Sequence, residues 1–263
     1  MARHCVADWP AAADKLAGAF WPGPLTLVLP RSKEIPDIVT AGGGTVGIRW
    51  PAHPLMQKVI RACGFPLAAP SANLSSHTSP TNAQHVWKSL SRKIPLIIDG
   101  GQCQVGIEST VVDLTVQPPR VLRPGIIHAQ SLRAVTGESS ATRTLDTADG
   151  PPRSPGLSAK HYATKARLIV RRWVDDADLR KLLSNVHCPL PAIHVIAHTT
   201  IPSDSGFGRT SVIPHDPEAF ARALYAELHR SDETGAQLIV VESVPDSIEW
   251  LAIADRLSRA SAE

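Results

Sequence analysis

The sequence predicts an α/β fold in two parts, an N-terminal mixed, twisted sheet with helices and then a small, doubly wound parallel α/β domain. Three observations carry this expectation. The chain has 263 residues, which at roughly 150 residues per domain is about two domains. Strand-like and helix-like patterns are mixed and tightly spaced in the first half and alternate in the second. Between about Thr136 and Ala163 the pattern dissolves into Ser, Thr, Asp, Gly and Pro, with Gly150-Pro151-Pro152 and Ser154-Pro155-Gly156 as breakers, the composition of a linker. The expected boundaries are 1–135 for the first domain, 136–165 for the linker and 166–263 for the second domain.

The elements follow in order. Asp8 near the cap, Pro10 in the first turn and Ala13, Leu16 and Phe20 on one face predict a helix over 10–20. Trp21-Pro22-Gly23-Pro24 ends it. Leu25, Leu27 and Leu29 alternate with Thr26 and Val28 as a strand that stops at Pro30. The glycines at 42–44 lead into a short strand over 45–50, and a helix over 54–63 is closed by Gly64. Leu67-Ala68-Ala69 is a strand candidate that delivers Pro70-Ser71-Ala72-Asn73 into a polar loop. A helix to about Leu90 and strands over 96–98, 109–114 and 120–122 complete the first part, with antiparallel pairs expected among them. In the second part, strands over 166–170, 192–196 and 237–241 alternate with helices over 175–183, 217–229 and 248–257. Phe220, Leu224 and Leu228 are spaced for one helix face.

Composition bounds the function. With 43% hydrophobic and 19% charged residues the chain is neither disordered nor fibrous. Apolar runs such as Leu25 to Leu29 or Leu238 to Val241 are far short of the roughly 18 residues of a membrane span, and no signal-peptide pattern follows Met1, so a cytoplasmic protein with no membrane partner is expected. Cys5, Cys63, Cys103 and Cys188 are scattered with no C-x-x-C pair, which predicts buried free thiols and neither a zinc site nor a disulfide framework. Residues 1–135 carry 13 Lys and Arg against 7 Asp and Glu, and the remainder 14 against 17. A basic first part suits an anionic ligand such as a nucleotide or RNA, and is also ordinary for a soluble domain. No G-x-G-x-x-G, Walker P-loop or G-x-S-x-G is present, which weighs against a dehydrogenase, a P-loop NTPase and an α/β hydrolase. His194 and His198 lie on and just after a strand, where i,i+4 spacing builds no metal face, and no metal-ligand set is expected.

Two clusters look chemical. Pro70-Ser71-Ala72-Asn73-Leu74-Ser75, followed by Ser79-Pro80-Thr81, concentrates hydroxyls and an amide near a helix N-terminus, a combination able to bind phosphate oxygens; the same residues also make ordinary turns and caps. Gly106-Ile107-Glu108-Ser109-Thr110-Val111-Val112-Asp113 sets a carboxylate and two hydroxyls at the mouth of a strand, or is a simple strand start. Arg49 and Arg123 could each grip a carboxylate or phosphate through two N–H groups, and each alone also suits a surface.

In order, these motifs resemble the YrdC/Sua5 family of threonylcarbamoyl-AMP synthases. The resemblance rests on Phe20-Trp21-Pro22-Gly23-Pro24-Leu25-Thr26-Leu27-Val28, Thr45-Val46-Gly47-Ile48-Arg49, Ala69-Pro70-Ser71-Ala72-Asn73 with Ser79-Pro80-Thr81, the run from Gly106 to Asp113, Leu122-Arg123-Pro124-Gly125, and Ser154-Pro155-Gly156 with His161-Tyr162. It implies a YrdC-like first domain and a Rossmann-like Sua5 second domain. It further implies an enzyme, a nucleotidyltransferase that makes L-threonylcarbamoyladenylate and pyrophosphate from L-threonine, bicarbonate and ATP for modification of adenosine 37 in tRNA. ATP is then a substrate, Mg2+ its expected companion, and RNA and the downstream tRNA threonylcarbamoyl transferase proteins the expected partners.

Carried over position by position, Arg49, Ala69 and Ser109 resemble the threonine-binding residues. Thr45, Ser71, Asn73, Ser79 and Arg123 match ATP contacts, and Tyr162 matches a linker tyrosine that folds back over the nucleotide as a lid. No general base is implied. Members of the family normally begin with a Pro-Thr-Glu-Thr-x-Tyr-Gly segment and a Lys-x-Arg motif that this sequence does not contain, so a first domain lacking its N-terminal part is expected. A truncated, non-catalytic remnant that binds nucleotide or RNA is the alternative to a synthase.

Overall fold

The computed structural model describes residues 1–137, 161–203 and 206–262. The breakers Gly150-Pro151-Pro152 and Ser154-Pro155-Gly156 lie outside the described residues. Helices α1 (Ala11–Phe20), α2 (Asp37–Thr40), α3 (Pro54–Cys63), α4 (Ala83–Leu90), α5 (Ala129–Thr136), α6 (Asp176–Leu183), α7 (Pro217–Glu233) and α8 (Leu251–Ala260) accompany strands β1 (Leu25–Pro30), β2 (Thr45–Ile48), β3 (Thr110–Asp113), β4 (Arg120–Arg123), β5 (Arg167–Arg171), β6 (Ile193–Ala197), β7 (Arg209–Val212) and β8 (Leu238–Glu242). The chain divides into two compact units. One takes in Met1–Pro70 and the segment that begins at Glu108; the other takes in Ser71–Ile107 and the segment that runs on to α8.

The first unit is built on a sheet of order β2-β1-β3-β4. β1 pairs antiparallel with β2, Leu27 opposite Ile48, and parallel with β3, Leu25 opposite Thr110, while β3 and β4 run antiparallel. Alternation in β1 does what the sequence predicts: Leu25, Leu27 and Leu29 are fully buried, and they pack with Ala13 and Leu16 of α1 and Leu132 of α5. Burying each such side chain contributes about 1.5–3 kcal/mol, which holds α1 and α5 on the sheet. Helix α5 was not expected from the sequence. Its apolar residues Leu132 and Val135 are few, and what makes it a helix is the face it packs on that core.

The second unit contains an all-parallel sheet of order β5-β8-β6-β7. Every residue of β6 and β8 is buried, as expected of strands covered on both faces. Phe220, Leu224 and Leu228 of α7 are buried together, as their spacing predicts. Strand β7 escaped the sequence reading because Arg-Thr-Ser-Val is polar, which an edge strand tolerates.

Two expected strands do not form. Residues 67–69 and 96–98 are irregular, and Leu96 and Ile98 stay 70% and 58% exposed. A strand needs a partner for its N–H and C=O groups, and among the described residues neither run has one. The thiols also differ from expectation: all four are free, but only Cys5 is buried. No helix of the described residues is long and apolar enough to cross a membrane.

Candidate active site

In the first unit, strand direction gathers the chemistry at one end of the sheet. β1 and β3 begin at that end, and their antiparallel neighbours β2 and β4 finish there. Across the sheet this sets Arg49 just past β2, Thr26 in β1, Ser109 just before β3 and Arg123 at the end of β4. The Thr26 and Ser109 hydroxyl oxygens are 2.8 Å apart. Arg123 donates from Nε to the Ser109 carbonyl and from Nη2 to the Ser109 hydroxyl, both at 3.2 Å. This guanidinium is buried, so it supplies a positive charge whose field water screens poorly. Arg49 is exposed, and partial desolvation pulls its pKa below the usual arginine value, although the group stays charged at any physiological pH.

The two motifs that supply Ser109 and Arg123 lock together through a glycine. A Cβ on Gly125 would fall 2.5 Å from the Thr110 amide nitrogen and 2.9 Å from the Glu108 carbonyl oxygen, so only glycine lets the chain after Arg123 close on the Glu108–Thr110 backbone. The Thr110 hydroxyl donates to the Ile127 carbonyl at 2.9 Å and secures the return. Thr45 is not part of this group: it opens β2, opposite Pro30, about 13 Å from Arg49 along the strand. Ala69 lies in the exposed run that follows α3.

In the second unit, Ser71 is exposed and Asn73 donates from Nδ2 to the His77 carbonyl at 2.7 Å, which folds the loop back on itself. The Asn73 Oδ1 is buried with no partner. Thr78 and Ser79 are buried. The Thr78 hydroxyl reaches the Tyr162 and Ala163 carbonyls at 3.2 Å, and Thr78 N–H also donates to the Ala163 carbonyl. Tyr162 adopts a left-handed φ of 63°. Its ring is 1% exposed, stacks on Tyr225 at 5.6 Å and lies under the Arg256 guanidinium at 5.7 Å. In this conformation the ring expected as a lid is a core side chain of the second unit.

Helix α4 is capped by Asn82, which accepts from His85 N–H at 2.9 Å. Ser79, just upstream, is held through its carbonyl by His229 of α7, with Nε2 donating at 3.1 Å. Gly106 also meets α7: a Cβ there would sit 2.3 Å from the Ala221 carbonyl oxygen, at a φ of 84°. Sequence reasoning did not name Thr26 or His229 as site residues. Thr26 is legible in retrospect as the polar residue of an otherwise apolar strand mouth. His229 carries no sequence signal, because its partner is 150 residues away.

Among the described residues, no three of His, Cys, Asp and Glu come together in a set that could hold a metal ion.

Residues 1–125 match the Sua5/YciO/YrdC family model, described as telomere recombination. Residues 127–262 match the model described as threonylcarbamoyl-AMP synthase, C-terminal domain. The chain is 39% identical over 260 residues to the threonylcarbamoyl-AMP synthase of Pyrococcus abyssi, covering 96% of this chain and 74% of that protein. It is 36% identical to the Bacillus subtilis protein of the same name, covering 96% and 73%, and 33% identical to that of Schizosaccharomyces pombe, covering 92% and 64%. The crystal structure of P. abyssi Sua5 complexed with L-threonine superposes with a TM-score of 0.86 at 36% identity, covering 99% of this chain and 76% of that one. With both family models matched in order and a shared fold over nearly the whole chain, this protein belongs to the two-domain, Sua5-type branch of the threonylcarbamoyl-AMP synthase family.

Proposed function

We propose that the protein joins L-threonine, bicarbonate and ATP into L-threonylcarbamoyladenylate and pyrophosphate. The observation that carries this reading is the end of the first sheet, where Arg49 and Arg123 flank the paired hydroxyls of Thr26 and Ser109. That arrangement suits an amino acid with a carboxylate and a hydroxyl. Arg49 takes the threonine carboxylate through its N–H fork, with Ala69 and Ser109 lining the pocket. The threonine amine adds to the bicarbonate carbon with loss of water, and a carbamate oxygen then attacks the α-phosphorus of ATP as pyrophosphate leaves. Much of the protein's work is orientation and charge stabilisation. Arg123 sets the Ser109 hydroxyl, and Thr45, Ser71, Asn73 and Ser79 contact the nucleotide, which enters as its Mg2+ complex.

The product is a mixed anhydride of a carbamate and a phosphate, so the consuming reaction is transfer of the threonylcarbamoyl group to adenosine in tRNA by a partner transferase in the cytoplasm. The test is pyrophosphate release with mass detection of the adenylate. Release that needs ATP, threonine and bicarbonate together supports the synthase. ATP binding without release, or release indifferent to threonine, overturns it in favour of a nucleotide- or RNA-binding protein.

A further inference from the structure

The Ser79-Pro80-Thr81 turn is held by two imidazoles, one from each family-defined domain. His229 of α7 donates from Nε2 to the Ser79 carbonyl. His85 of α4 accepts the Thr81 N–H on Nδ1 at 3.3 Å, so that nitrogen carries a lone pair. The two rings stack with centroids 3.9 Å apart and planes 26° from parallel. Beside them Lys88 of α4 and Glu233 of α7 form an ion pair at 2.6 Å. The Thr81 carbonyl is also occupied, accepting from Cys103 N–H at 2.8 Å.

We propose that His229 is a positioning residue for the nucleotide: by fixing the Ser79 carbonyl it sets the Ser79 loop, and through it the C-terminal domain becomes part of the ATP-binding apparatus. The proposal rests on the reading of Ser79 as a nucleotide contact. His85 must be neutral for this work, because a protonated His85 has no lone pair for the Thr81 N–H, and two stacked imidazolium rings would repel. The surroundings favour that state. Burial is the main cause that lowers both values, His85 to about 4, while Lys88 lowers and Glu233 raises the value of each ring. The Ser79 carbonyl, Asp232 and Glu233 pull His229 the other way without prevailing. Two bulky apolar side chains would fill the same space but could not hold a carbonyl and an amide at the two ends of one turn.

The test measures dissociation constants for ATP and for L-threonine, and the melting temperature, in the full protein carrying His229→Phe, His229→Gln or Ser79→Ala. Phenylalanine keeps the stacked ring and loses the donor; glutamine keeps a donor. His229→Phe is expected to weaken ATP about fivefold, the scale of one hydrogen bond, with threonine affinity unchanged and His229→Gln close to the parent. Equal losses for ATP and threonine, a lowered melting temperature with unchanged ATP affinity, or a glutamine variant as weak as phenylalanine overturns the positioning role. Failure of the underlying reading looks different: Ser79→Ala then binds ATP as the parent does.

Discussion

At the scale of single residues, the candidate site depends on charges held in place rather than on a reactive nucleophile. Arg49 and Arg123 have the same side chain but different surroundings. Arg123 is buried and committed to Ser109, whereas Arg49 stands exposed at the strand end, where it can meet a ligand. Arg49→Ala is expected to weaken L-threonine by about tenfold or more, the loss of a charge-assisted pair, while ATP affinity changes little. Titration calorimetry with each ligand checks this, and an unchanged threonine affinity removes Arg49 from the site. Elsewhere a buried carboxylate acts structurally. Burial alone would raise Glu242, but the N–H groups of His198, Thr199 and Thr200 and the Thr199 hydroxyl hold it below the ordinary value. Glu242 thus ties the ends of β6 and β8 together. The sequence marked Arg49, Ser109 and Arg123 as arginines and a hydroxyl near strand ends. That they stand at the same end follows from strand directions, which local pattern does not contain.

At the scale of elements, the segment around Tyr162 behaves as an anchor. Its aromatic ring and backbone carbonyl are engaged at once by Tyr225, Arg256 and Thr78. Tyr162→Ala is therefore expected to destabilise the protein by about 3–5 kcal/mol, the range for deleting a buried aromatic side chain, as measured by urea unfolding. Tyr162→Phe keeps the packing and is the variant in which any loss of ATP affinity can be read by itself. A melting temperature unchanged in Tyr162→Ala would contradict the buried placement. Helix α7 is the other informative element. Periodicity predicted its buried face through Leu228, but Gly106 pressed on Ala221 and His229 under Ser79 are tertiary facts. The unformed strands at 67–69 and 96–98 teach the converse. Three apolar residues in a row show a preference for burial, yet a strand also requires a hydrogen-bonded neighbour.

For the whole molecule, pH is a global probe of burial. Burial lowers His85, His194 and His229 below the ordinary histidine value, to about 4 for His85. These groups bind protons less readily in the fold than in the unfolded chain, so unfolding takes up protons once the pH drops below about 6.5. Their contribution to stability is complete above that value and is lost as the pH falls toward their folded values. The melting temperature should therefore decline between pH 7.5 and 5.5, with a shallower slope in His85→Gln; an identical slope in the variant would assign the decline to other groups. Charge is also uneven at this scale, with the excess of Lys and Arg confined to residues 1–135, the half that carries Arg49 and Arg123. By itself the sequence determined the two-part α/β architecture, the family and the identity of the chemical motifs, because alternation, helical spacing and ordered short motifs are properties of neighbouring residues. Only the tertiary structure decided that Arg49, Thr26, Ser109 and Arg123 share a sheet end, that Tyr162 is buried and that His229 holds Ser79, because each depends on residues far apart in the chain meeting where strand direction and core packing put them.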